Sequence, residues 1–148
     1  MQNPDEILDF AIGEEEKAAA FYAGLAARTE DGTLRKLLLS YEAEELQHKA
    51  KLLAVKAGEI PLEVRAAVLD LRISDYVVEV EASPEMDYQT ALIAVIQREK
   101  AAIRLYQDLA AKVHGTKLES VFLALAQEEA RHKLRFETEY DELVLRDN

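Results

Sequence analysis

Residues 37–55 read LLLSYEAEELQHKAKLLAV, and residues 121–139 read VFLALAQEEARHKLRFETE. In both stretches apolar residues recur at alternating steps of three and four, which is the spacing of one face of an amphipathic helix. In the middle of each stretch this face carries a Glu and, three residues later, a His. Residues three apart lie on the same side of a helix. Both polar side chains are therefore expected where the apolar pattern predicts a protein core.

The two stretches belong to an internal repeat with an offset of 84 residues. Between Leu8 and Leu53, 14 of 46 positions are identical to the residue 84 positions later. Among the polar matches are Glu15 with Glu99, Tyr22 with Tyr106, Glu45 with Glu129, and His48 with His132; Glu44 with Glu128 and Lys49 with Lys133 also match. The recurrence of the same polar residues inside apolar stripes indicates that they share one role in the two halves.

The repeat also selects among neighbouring glutamates. Glu15 is preferred within the run 14–16 because the residues on either side of it match Arg98 and Lys100, which are typical of a surface. Glu44 also has a counterpart, in Glu128, but Glu45 is preferred because it shares a helical face with His48, whereas Glu44 projects about 100° away around the helix. The acidic neighbours are expected on solvated faces.

Helical periodicity and terminal signals predict four long helices. They span about residues 4–29, 33–57, 87–114 and 116–145. Thr33 is the expected N-cap of the second helix, and Gly58 is expected to end it. Short connections at 31–32 and at Gly115 predict two antiparallel helical hairpins.

A longer connection, residues 59–86, joins the hairpins. Its part from Ile73 to Val80 is rich in β-branched and aromatic residues and is compatible with a short helix or an extended piece. Two hairpins joined by a long crossover form the arrangement of a ferritin-like four-helix bundle. The expected fold is therefore all-α, with residues 1–148 in a single domain.

Composition excludes several classes of function. The chain has 148 residues and a formal net charge of −11, which disfavours nucleic-acid binding. It has no cysteine, which excludes disulfides, iron–sulfur clusters and thiolate metal sites. Its N-terminus lacks a basic signal region, and no apolar run is long enough to span a membrane. A cytoplasmic location is expected.

Four carboxylates and two imidazoles at one level of a bundle match the ligand set of a carboxylate-bridged dinuclear metal site. The six expected ligands are Glu15, Glu45, His48, Glu99, Glu129 and His132. We expect Glu45 and Glu129 to bridge two ions, each His to cap one ion, and the other two glutamates to be terminal ligands. Oxygen and imidazole donors suit iron or manganese, and zinc is compatible. Tyr22 and Tyr106 are expected to donate their hydroxyls to ligand carboxylates.

The chain resembles the rubrerythrin branch of the ferritin-like superfamily over nearly its whole length. The resemblance rests on EEKAAAFYAGLA at 15–26, on EKAAIRLYQDLA at 99–110, and on the two Glu-x-x-His pairs. It implies a di-iron centre that reacts with hydrogen peroxide or dioxygen, with electrons from a redox partner. Typical rubrerythrins also carry a rubredoxin domain with four cysteines, which this sequence lacks. They carry an additional ligand Glu where this sequence has Ala102.

Three functions follow as hypotheses. The first is a di-iron oxidoreductase that reduces peroxide or dioxygen in defence against oxidants, or that senses them, with a separate donor such as a rubredoxin-like protein. The second is a ferroxidase that handles iron, and the third is a bundle with structural metals. A homodimer is expected, through Val77, Val78, Val80 and the Ala-rich first helix. His114 has no repeat partner and is expected to interact with a helix C-terminus rather than with a metal.

Overall fold

The computed structural model describes residues 4–58, 68, 71–78 and 87–147. Four long helices account for most of these residues: α1 (Pro4–Arg28), α2 (Gly32–Gly58), α3 (Tyr88–Lys112) and α4 (Lys117–Asp147). A short 3-10 turn, Ile73–Asp75, lies between α2 and α3, and no strand occurs in these described ranges. The predicted all-α class with four helices is confirmed, and the order of elements is consistent with a four-helix bundle.

The helices pair in sequence order. α1 packs against α2 in a compact unit that extends to Ile73, and α3 packs against α4 in a second unit that starts at Ser74. The two predicted hairpins are therefore present. The grouping of both hairpins into a single domain stays a prediction.

The first turn differs from the sequence-based expectation at the start of α2. The carboxylate Oδ1 of Asp31 accepts hydrogen bonds from the backbone N–H of Thr33 (2.9 Å) and of Leu34 (3.1 Å). Asp31 is therefore the N-cap, and the prediction of Thr33 is wrong by two residues. Both types cap well, but a carboxylate accepts two N–H groups at once and carries a charge that the helix N-terminus favours.

The second turn is set by a glycine and a threonine. Gly115 has a φ of +82°, in the left-handed region that glycine adopts without steric strain. Thr116 then receives a hydrogen bond from the N–H of Leu118 (3.2 Å) and donates to the carbonyl of Val113 (2.6 Å). The chain thus ends α3 and begins α4 within four residues. At the other end of α3, Asp87 is the N-cap, and its Oδ1 accepts a hydrogen bond from the N–H of Thr90 at 2.8 Å.

The described part of the crossover is fixed to α3 by a buried tyrosine. The hydroxyl of Tyr76 donates to Asp108 Oδ2 at 2.6 Å, and the guanidinium of Arg104 lies 5.6 Å from the centre of the Tyr76 ring. Arg104 also donates to the carbonyl of Asp75. Burial, together with the hydrogen bond to Asp108, raises the pKa of Tyr76 above that of an ordinary phenol. The rest of residues 59–86, including Val80, lies outside the described residues apart from 68, 71 and 72.

Candidate metal centre

The first hairpin brings three of the predicted ligands together. Glu15 comes from α1, and Glu45 and His48 come from α2. Their side chains are buried, with at most 2 % of each residue exposed. His48 Nδ1 lies 3.4 Å from Glu15 Oε2 and 3.9 Å from Glu45 Oε1. One ligand atom from each residue lies within 4.8 Å of the others, a spacing at which they could share one metal ion.

The second hairpin repeats this cluster with the residues 84 positions later. Glu99 comes from α3, and Glu129 and His132 come from α4. Each is at most 1 % exposed, and one ligand atom from each again lies within 4.8 Å of the other two. The internal repeat of the sequence therefore corresponds to a repeated three-residue cluster. We name these the first and the second ligand triad.

Local sequence explains why these glutamates turn inward while their neighbours do not. Glu15 lies on the face of α1 that buries Leu8, Ile12 and Tyr22. Glu16 is exposed, and its carboxylate lies 3.6 Å from the ammonium of Lys49. The choice of Glu15 by the repeat therefore agrees with the burial of the two side chains.

The donor set of each triad suits a divalent cation. Two buried carboxylates no more than 4.8 Å apart repel by at least about 3.5 kcal/mol at an effective dielectric constant of 20, if the imidazole beside them is neutral. A cation bound among them would reverse the sign of this interaction and would replace the water that the carboxylates lose on burial. Carboxylate oxygen with imidazole nitrogen is a ligand set for iron, manganese or zinc. The residues present therefore fit a metal ion in each triad.

The two matched tyrosines are also buried. Tyr22 is fully buried and Tyr106 is 1 % exposed. The ring of Tyr22 meets the ring of Tyr41 edge-on, with centroids 6.0 Å apart and planes at 64°. This contact holds Tyr22 beside α2 near the turn that carries Glu45. The expected hydrogen bonds from Tyr22 and Tyr106 to ligand carboxylates stay predictions.

Two further positions bear on the site. Ala102 lies half-buried on α3, one turn after Glu99, and offers no carboxylate there. His114 belongs to neither triad. Its Nδ1 lies 2.5 Å from Glu119 Oε2. This hydrogen bond lowers the pKa of Glu119 below its ordinary value. Among the described residues, no His, Asp or Glu beyond the six predicted ligands joins a cluster that could hold a metal.

Comparison with known proteins gives one match. The family model described as Rubrerythrin matches residues 6–140, which is most of the chain. Searches of curated proteins and of solved structures returned no match. In the part of the chain that the structure describes, every helix is too short or too polar to cross a membrane.

Proposed function

This chain belongs to the rubrerythrin family, and we propose that it is a di-iron oxidoreductase that reduces hydrogen peroxide or dioxygen. The observation that carries the proposal is the pair of buried ligand triads, one in each hairpin, at matching positions of the repeat. In the proposed function the first triad (Glu15, Glu45 and His48) and the second triad (Glu99, Glu129 and His132) would hold a pair of iron ions.

Two ferrous ions bound there would supply the two electrons that, with two protons, reduce one hydrogen peroxide molecule to two waters. The protein contributes the orientation of the ligands and the exclusion of water. His48 presents Nδ1 to the carboxylates of its triad, which fixes the nitrogen available to a metal. We propose that Tyr22 and Tyr106 hold the ligand carboxylates by donating their hydroxyls, because hydrogen bonds to ligands set their orientation.

The electrons for the next turnover come from outside the chain. The sequence has no cysteine that could hold a rubredoxin-type iron or form a redox disulfide. We therefore propose a separate donor, such as a rubredoxin-like protein. A donor of this kind needs no covalent connection to the two hairpins.

Ala102 favours a second candidate function, a ferroxidase that oxidises iron for storage or transfer. The family resemblance implies an additional ligand Glu at this position. Alanine has no carboxylate that could bind a metal there. Without it, the proposed centre has the symmetric set of two glutamates and one histidine per half. This symmetric ligand set resembles that of an iron-oxidising site of the bacterioferritin type.

The discriminating experiment is stopped-flow oxidation of protein loaded anaerobically with two ferrous ions per chain. Oxidation much faster with hydrogen peroxide than with dioxygen supports the peroxidase assignment, and the reverse order supports the ferroxidase. Glu45→Gln should slow oxidation by either oxidant. Glu44→Gln is the matched control, because Glu44 belongs to neither triad. Metal that stabilises the fold but is oxidised by neither reagent would refute both redox functions.

A further inference from the structure

Tyr41 is a buried tyrosine of α2 that contacts one of the two matched tyrosines but is not itself repeated. Its ring meets the ring of Tyr22 edge-on, with centroids 6.0 Å apart. The residue 84 positions later is Leu125, which is fully buried. The second hairpin therefore folds with an aliphatic side chain at this position, so burial alone does not require an aromatic ring there.

The positions of the two tyrosines follow from the antiparallel packing of α1 and α2. His48 Nδ1 lies 3.4 Å from Glu15 Oε2, so these two residues are level with each other along the hairpin. Tyr22 follows Glu15 by seven residues on α1. Tyr41 precedes His48 by seven residues on α2. The two tyrosines are therefore also level with each other, about 10 Å from the ligands on the side of the hairpin turn.

The two rings lean in opposite directions along the hairpin. A long side chain on a helix points back toward the N-terminus of its own helix. For Tyr22 this is the direction of Glu15, whereas for Tyr41, on the antiparallel helix, it is the direction of the hairpin turn. The ring of Tyr41 therefore lies behind Tyr22 as seen from the first triad. It fills the space that the ring of Tyr22 would enter if it turned away from the ligands.

We propose that Tyr41 is a positioning residue of the metal centre, whose ring keeps Tyr22 directed at the ligand carboxylates and so strengthens metal binding. This inference rests on the proposed function, in which the hydroxyl of Tyr22 donates to a ligand carboxylate. Loss of such a hydrogen-bond partner typically weakens metal affinity about 10- to 100-fold. Tyr41 acts one contact further away. An edge-on aromatic pair contributes enough to change an equilibrium constant about 2- to 10-fold.

The second hairpin shows how the support differs between the two halves. Tyr106 and Leu125 occupy the positions equivalent to Tyr22 and Tyr41. On α4 an aromatic ring occurs one turn earlier, at Phe122, which is one turn further from the ligands than Leu125. An aromatic ring level with the matched tyrosine is thus a feature of the first hairpin. Replacing Tyr41 by leucine gives that hairpin the residue that the second hairpin already accommodates.

The first test measures the affinity of the chelator-treated full chain for manganese by isothermal titration. Tyr41→Leu should raise the dissociation constant about 2- to 10-fold. Tyr41→Phe keeps the ring and should leave the constant unchanged. Leu52→Ala is the matched control, because Leu52 is fully buried on α2 about 16 Å along the helix from Tyr41, beyond the triad. It should lower the Tm but not the affinity.

A double-mutant cycle tests whether Tyr41 acts through Tyr22. Tyr22→Phe removes the donating hydroxyl and should raise the dissociation constant about 10-fold or more. In that variant Tyr41→Leu should cause no further change, because the ring that Tyr41 holds no longer carries a hydroxyl. NMR of labelled tyrosine in the metal-free protein reports on the ring itself. The ring of Tyr22 should flip about 2- to 10-fold faster in Tyr41→Leu than in the wild type or in Tyr41→Phe.

Four results would overturn the proposal. An unchanged affinity in Tyr41→Leu would mean that the ring contact has no effect on the metal. An equal loss in Leu52→Ala would mean that general stability sets the affinity. An equal loss in Tyr41→Phe would assign the effect to the hydroxyl of Tyr41 rather than to its ring. A further loss from Tyr41→Leu in the Tyr22→Phe background would mean that Tyr41 acts without Tyr22.

The test does not depend on one variant or on redox activity. If circular dichroism shows that Tyr41→Leu does not fold, Tyr41→Met replaces it, because methionine is flexible enough to fill an irregular space. Manganese binding involves no oxidation of the metal. A centre that binds manganese with the expected pattern of affinities, but whose iron is oxidised by neither reagent, would refute the proposed redox functions and support the role of Tyr41.

Discussion

Metal binding should stabilise the protein strongly, and a single carboxylate should control the effect. Without metal, the first triad holds two buried carboxylates 4.8 Å apart or less, whose repulsion is at least about 3.5 kcal/mol at an effective dielectric constant of 20 when His48 is neutral. A divalent cation removes this penalty in the folded state alone, because the unfolded chain does not assemble the triad. At a metal concentration 100 times the dissociation constant, the gain is about 2.7 kcal/mol. For a chain of this length the gain corresponds to a rise in Tm of about 5 to 11 °C.

The assay compares thermal unfolding of chelator-treated protein with and without manganese, which avoids oxidation of ferrous iron. Glu45→Gln replaces a charged ligand with a neutral amide. If this weakens the affinity about 100-fold, the gain at the same metal concentration falls to about 0.4 kcal/mol, and the Tm should rise by less than 2 °C. Glu44→Gln should keep the full rise. It removes the same charge from the neighbouring position of α2 without touching a triad.

The reasoning would be refuted if Glu45→Gln and Glu44→Gln responded to metal alike. Equal, full responses would mean that the metal binds elsewhere. Equal losses would mean that the overall negative charge of α2, rather than the geometry of the triad, attracts the cation. Isothermal titration of the same three proteins gives the number of ions directly, with two per chain expected for the proposed centre.

Three further predictions concern the fold. Gly115→Ala should lower the free energy of unfolding by about 1 kcal/mol, because residue 115 has a positive φ. Gly13→Ala should raise it by about 0.5 to 1 kcal/mol, because Gly13 lies in the interior of α1 with open space at the Cβ position. Urea unfolding distinguishes the two signs. Tyr76→Phe should cost about 1.5 to 3 kcal/mol in the same assay, since it removes a part-buried hydrogen bond to a carboxylate. The hydrogen bond to His114 lowers the pKa of Glu119, so this contact stabilises the fold at pH values above the ordinary pKa of a glutamate. The stabilisation is lost as the pH falls through the lowered pKa. In His114→Ala, NMR titration should find a higher pKa for Glu119.

Sequence patterns predicted the fold where local physics sets it. The helix ends near Arg28, Gly58 and Lys112 follow from turn and capping residues that act within a few positions of each other. The wrong N-cap prediction at the start of α2 has the same origin, because Asp31 and Thr33 are both residue types that cap helices well and lie two residues apart. Only the observed hydrogen bonds distinguish them.

Long-range contacts were harder to predict. The bond from Tyr76 to Asp108 joins residues 32 positions apart, and neither belongs to a repeated or periodic pattern. The expected dimer contact on α1 stays a prediction, and the alanines of this helix are divided between its buried and its exposed faces. Ala11, Ala18 and Ala19 are buried, because small residues serve close helix packing as readily as they serve an outer face. Composition alone cannot separate these two uses.

The two faces of α2 show what made the candidate site predictable. This helix has an uninterrupted apolar stripe, led by Leu39 and Leu46, and a second stripe that is broken by Glu45 and His48. A criterion of hydrophobicity would bury the first stripe, yet the structure exposes it and buries the second. The repeat favoured the second stripe, since Glu45 and His48 recur 84 residues later, and the structure buries both residues. Polar residues placed among apolar ones at two matching positions are costly to bury, and that cost makes them informative about function.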